Sequence, residues 1–207
     1  MDNEEVSFAL ASASDGFFEW ARLARAYIKD DRYVTLGAHE RLQVVIAPNK
    51  YDRIPLLDSM YKLTLEKIFP NDTQTRSMPR TETRLHSINL NRFRSVMAQI
   101  IATAEPLPLA SLSSMRLYFA DKDLRKIDIK NIVKWLGALL SGTTDFTGPT
   151  GPPATIRPLH ASFPDFLLDE SRSGEFYIDL SHIHDQLAFA SLGIMKDGLR
   201  FNICELT

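Results

Sequence analysis

A single cysteine, Cys204, stands among 207 residues. It can form no internal disulfide and build no cysteine-based zinc site, and such sparing use fits a reducing, cytoplasmic setting. Glycine is scarce as well, with nine residues. None of them falls into the Gly-x-x-x-x-Gly-Lys-Ser/Thr loop that cradles phosphates in nucleotide hydrolases. The Gly-x-Ser-x-Gly elbow of serine hydrolases and the His-Glu-x-x-His zinc helix are missing too. Charge of one sign is also lacking: 24 Lys and Arg oppose 26 Asp and Glu, and the formal net charge of −2 sets up no global field toward nucleic acid or anionic membrane. The longest apolar runs, 44–47 and 100–102, fall far short of the roughly 20 residues of a membrane span. The first residues, Met1-Asp2-Asn3-Glu4-Glu5, are acidic where a secretory signal is basic. These absences predict a non-catalytic, cytoplasmic protein with no resident metal or cofactor and no membrane partner.

What is present is the material of a folded, mainly α protein, since hydrophobic residues make up 44% and charged residues 24% of the chain. Apolar residues at helical spacing predict a helix over 8–28, interrupted near Ser14-Asp15-Gly16, with Phe17, Trp20, Ala21, Ala24, Tyr27 and Ile28 on its stripe. Without a covering partner, Phe17, Phe18 and Trp20 form an adhesive surface. Residues 37–47 read equally as a short helix or a buried strand. A helix over 56–69 carries Leu57, Met60, Tyr61, Thr64 and Ile68 on one face, with Pro55 in its first turn and Pro70 after its end.

The polar stretch 71–83, holding Pro79, is read as a linker, which gives two domains, 1–79 and 80–207. A long helix then runs to about Ala104, with Leu90, Phe93, Met97, Ile100, Ile101 and Ala104 inward. Two more helices follow, 109–119 and 123–140. Gly142, Gly148, Gly151, Pro149, Pro152 and Pro153 crowd the next segment, between the apolar edges 139–140 and 156–159. This texture predicts a β-hairpin wing. Short and longer helices close the chain at 162–168 and 181–195, the second with Ile183, Leu187, Ala190 and Ile194 on one side and Ser181 as its N-cap.

Few residues carry chemistry. His182 and His184 are the closest histidine pair, but two residues apart on a helix they point about 200° apart and cannot share a metal. His160, Ser162 and Asp165 lie close in sequence, yet a catalytic triad also needs a buried orienting acid and an oxyanion pocket, for which nothing speaks. Lys122, Lys126, Lys130 and Lys134 form a four-residue stripe on the second helix of the helix–turn–helix, the one that enters the major groove in DNA-binding relatives. Asp123 and Asp128 beside it, and the slightly acidic whole, argue against nucleic acid.

Four separated patches resemble, in order, a segment of the fungal NACHT-type nucleotide-switch proteins (the STAND class). They are 11–28, ASASDGFFEWARLARAYI; 55–70, PLLDSMYKLTLEKIFP; Pro106-Leu107-Pro108-Leu109; and 156–168, IRPLHASFPDFLL, followed by Asn202-Ile203-Cys204 near the end. The resemblance implies the end of an NTPase core with a helical lid segment, followed by a winged-helix domain. It implies a regulatory role: packing against an ATP- or ADP-bound core, or another protein of the family, to hold it inactive. It places His160 where relatives contact the β-phosphate, and Phe18 where they line the adenine. Self-association is a further implied partner relationship. Ala161 replaces the family's proline and Pro164 its frequent arginine, and the phosphate loop is missing, as in a truncated or fragmentary member. The alternative expectation is a winged-helix DNA-binding protein that uses the lysine stripe.

Overall fold

The computed structural model describes residues 3–14, 16–29, 37–46, 53–70, 80–143 and 153–200. The chain divides into two compact units, Met1–Asn71 and Asp72–Thr207. Most of the linker read at 71–83, the Gly/Pro tip of the wing and the terminal Asn202-Ile203-Cys204 lie outside the described residues.

The first unit is helical: α1 (Asn3–Ser14), α2 (Phe18–Lys29), α3 (Ala38–Ile46) and α4 (Arg53–Ile68). Gly16 separates α1 from α2 with a φ of +78°, in the left-handed region where a Cβ is disfavoured. The ambiguous stretch 37–47 is helical, and tertiary burial of Leu42 and Val45 decides it. The core joins Trp20, Leu23 and Ala24 of α2 to Leu57, Met60, Tyr61 and Leu65 of α4. Trp20, on the apolar stripe expected over 8–28, is 1% exposed, in the helix that packs on α3 and α4. Phe18 is 90% exposed.

In the second unit α5 (Arg80–Ala102) begins inside the stretch read as linker. It buries Leu90, Phe93, Val96, Met97 and Ile100. Ala104, expected inward, is exposed because the helix ends before it. A two-residue strand missing from the sequence reading follows, β1 (Leu107–Pro108), and then α6 (Leu109–Arg116). The single helix predicted over 123–140 is corrected to two short ones, α7 (Lys122–Arg125) and α8 (Ile129–Trp135). The break is local chemistry: Asp128 is extended and its carboxylate accepts from Lys130 N at 2.9 Å, capping a new helix.

Strands β2 (Leu140–Ser141) and β3 (Thr155–Pro158) pair antiparallel in the register Leu140↔Pro158, and β1 pairs with β3 in the register Leu107↔Ile156. The result is a small antiparallel sheet of order β1-β3-β2. Gly142, at φ +74°, is required there, since a Cβ would stand 2.2 Å from the carbonyl oxygen of Thr155. The chain continues through α9 (Ser162–Leu167), α10 (Glu170–Ser173), a 3-10 turn at Gly174–Phe176 and α11 (Ile183–Gly198). Ser181 does not cap α11 as expected. It donates its N–H and hydroxyl to Asp179, and α11 starts two residues later. Phe176 meets Phe93 edge-on at 6.1 Å and joins this segment to α5. The protein is thus mainly helical with one small sheet, and among the described residues no helix is long and apolar enough to cross a membrane.

Candidate functional site

His160 follows β3, whose pairing continues as Leu159 N donates to Leu139 O at 3.0 Å. Its Nδ1 lies 3.2 Å from Ser162 N and 2.7 Å from Ser162 Oγ. A backbone N–H can only donate, so Nδ1 accepts and the proton of the neutral ring sits on Nε2. The N-cap of α9 is Ala161, which has no side-chain acceptor. The imidazole supplies what the alanine lacks: it satisfies the first N–H of the helix, while the His160 carbonyl accepts from Phe163 N at 3.2 Å. The 2.7 Å contact with Ser162 is therefore that of a helix start. Here both Ser162 donors converge on a single ring nitrogen.

Phe18, the other candidate, opens α2 in the first unit, and His160 belongs to the second. The lysine stripe does not survive as a stripe. Lys122 starts α7, Lys126 caps it from beyond its last residue in an exposed 3.0 Å ion pair with Asp123, and only Lys130 and Lys134 lie within one helix, α8. The kink at Asp128 resets the helical phase, so four-residue spacing no longer means one face. His182 and His184 are both exposed at the start of α11, and among the described residues no three His, Cys, Asp or Glu side chains converge as metal ligands would.

The polar centre of this unit was not foreseen. Arg116 on α6 is 1% exposed. Its Nε donates to Gln99 Oε1 at 2.8 Å, Nη1 to Leu124 O at 3.1 Å, and Nη2 to Ser95 O at 2.9 Å and Ser95 Oγ at 3.2 Å. Gln99, itself fully buried, passes its amide on to Leu112 O at 2.9 Å, and the guanidinium carbon lies 5.3 Å from the Phe119 ring centre. Burial pushes the guanidinium down to about 10, still well above neutral pH, so the cation is retained. One signal was legible: Arg116 falls between Leu112 and Phe119 at helical spacing, on the stripe that faces inward.

Above this centre opens a cleft of about 690 Å³, lined among others by Arg94, Ser95, Leu124, Asp179, His182 and Gln186. Its polar groups are largely engaged in holding the fold. Arg94 donates to Glu175 O and Asn91 Oδ1, Gln186 Oε1 accepts from Ala120 N, and Asp179 accepts from Ser181. The hydroxyl of Ser181, with its N–H, holds the Asp179 carboxyl below its ordinary value. Compared with known proteins, the chain matches no family model, no curated protein and no solved structure.

Proposed function

We propose that the chain is a non-catalytic regulatory portion of a NACHT-type nucleotide switch, whose second unit is a winged-helix domain that packs on a nucleotide-bound NTPase core. The observation that carries this reading is an order of elements. Helix, strand, three helices, strand and strand run from α5 to β3 with the sheet ordered β1-β3-β2, and His160 stands directly after the last strand. That is the position at which the resembling proteins bring a histidine to the β-phosphate. A proton on Nε2 gives the ring a donor for a phosphate oxygen while Nδ1 remains occupied with α9. Holding the core in its diphosphate form follows if the closed state alone makes that contact, because a ligand shifts an equilibrium only through its differential affinity.

The test mixes this chain with a NACHT NTPase core loaded with ADP or with a non-hydrolysable ATP analogue, and measures binding by calorimetry. The ADP form is expected to bind more tightly. His160→Asn keeps an acceptor near the position of Nδ1 and removes the outer donor, so it should bind about tenfold more weakly while melting normally, one charge-assisted hydrogen bond being about 1.5 kcal/mol. Equal affinity for both forms, or an unchanged affinity in His160→Asn, sinks the proposal. The DNA-binding alternative retains only Lys130 and Lys134 on α8, against the roughly 6–10 phosphate contacts of a duplex-binding protein. A gel shift at low salt that weakens steeply with added salt would revive it.

A further inference from the structure

Helix α11 is apolar on two opposite faces. Its inner face carries the buried Ile183 and Ala190. Its outer face carries Phe189, Leu192 and Met195, 59%, 64% and 52% exposed, with Leu199 at the helix end, 61% exposed. A helix that is hydrophobic all round belongs in a core, and one whose second face meets water lacks a partner for that face. The helix cannot turn to hide it. A Cβ on Gly193 would stand 2.3 Å from Cδ1 of Tyr118, so the tyrosine ring fills the notch that glycine leaves. The Tyr118 hydroxyl then donates to Asp197 Oδ2 at 2.8 Å, and Gln186 Oε1 accepts from Ala120 N at 2.8 Å.

We infer that the outer face of α11 pairs with the same face of a second copy of this chain, the two helices running antiparallel. Charge selects this occupant. Asp185 and Lys196, both exposed, lie about three turns apart on the face that carries Phe189 and Leu192, one toward each end of the helix. A two-fold axis between Ala190 and Ser191 brings Asp185 against the partner's Lys196 and Lys196 against the partner's Asp185, while Phe189 meets Leu192. A parallel pair would set like charges side by side. The exposed apolar patch is on the order of 400 Å², within the range of the largest patch on a monomer, which is often functional. Two such patches with their flanking stems approach the roughly 1,000 Å² of a specific interface, so the dimer is modest and reversible. The inference does not rest on the nucleotide-switch reading, because it uses neither His160 nor the sheet.

The test is sedimentation of the whole chain over a concentration series. The expected result is a monomer–dimer equilibrium that Leu192→Glu weakens at least tenfold, with helical circular dichroism retained because Leu192 is exposed. Asp185→Lys alone and Lys196→Asp alone should each weaken it, and a mixture of the two single variants should associate as the parent does. A chain that stays monomeric at every concentration overturns the inference, its outer face then being covered by another segment or another protein. So does a dimer indifferent to Leu192→Glu and to the charge exchange.

Discussion

At the scale of the residue, the second unit is organised around a cation with hydrogen-bonding rather than ionic partners. Arg116 is held by Gln99, Ser95 and the Leu124 carbonyl, and burial lowers its guanidinium to about 10. Removing one partner of a buried charge costs more than removing the charge itself. Gln99→Leu therefore strands Nε of the buried Arg116, and should cost about 2–4 kcal/mol in urea unfolding. Adding Arg116→Met to it should recover part of that loss, a coupling of about 1 kcal/mol or more. Strict additivity in the double variant would contradict this account. The acid side of the same unit shows a second effect. Asp169 and Asp179 accept from the hydroxyls of Ser171 and Ser181, and these bonds hold both carboxyls below 3.8. Groups depressed on folding stabilise above their unfolded value and stop doing so as pH falls through their folded ones. The two turns should thus keep their carboxylates to a lower pH than ordinary aspartates and come apart only in stronger acid. Carbon NMR titration of the carboxyls reads this directly, and Ser171→Ala should bring Asp169 back toward 3.8.

At the scale of the element, short segments are defined by single contacts. The β2–β3 edge closes only because Gly142 takes a φ of +74° with its missing Cβ directed at the Thr155 carbonyl, while Gly174 takes +56° in open space. Both positions penalise alanine through backbone conformation, but only the first adds a collision. Gly142→Ala should lose about 2–4 kcal/mol and Gly174→Ala about 1 kcal/mol by thermal denaturation. Equal losses would mean that the strand shifts freely to make room. The long helices, α4 and α5, were legible from their apolar periodicity, and the hairpin edges from the Gly/Pro stretch between them. The break between α7 and α8 was not. Apolar periodicity continued through it with Ile127, Ile132, Val133 and Leu136, and the capping carboxylate of Asp128 was read as a charge beside the lysines. Likewise β1 is two residues long and exists only because β3 returns beside it, Ile156 lying 49 positions after its partner Leu107.

At the scale of the whole molecule, each unit contains its own core: Trp20, Met60 and Tyr61 in one, Phe93, Phe119, Phe163 and Phe166 in the other. A domain whose buried side chains meet one another unfolds cooperatively by itself. Residues 72–207 expressed alone should keep their helical circular dichroism and a single melting transition. A fragment that is unfolded, or that binds hydrophobic dye like a molten state, would show that its core is incomplete.

The sequence by itself determined the helical class, the places of the long helices and the edges of the β2–β3 pair, because these depend on residues within a turn or two of each other. It also determined which chemistry has no motif behind it. Tertiary structure alone decided that Arg116 is buried, that the lysines diverge, that His160 serves α9 through Nδ1, and that α11 shows a second apolar face. Each of these depends on a partner far along the chain, or on a cap whose geometry no periodicity encodes. An arginine on an inward stripe is legible as an oddity, but the Gln99, Ser95 and Leu124 groups that make it stable come together only when α5, α6 and α7 pack.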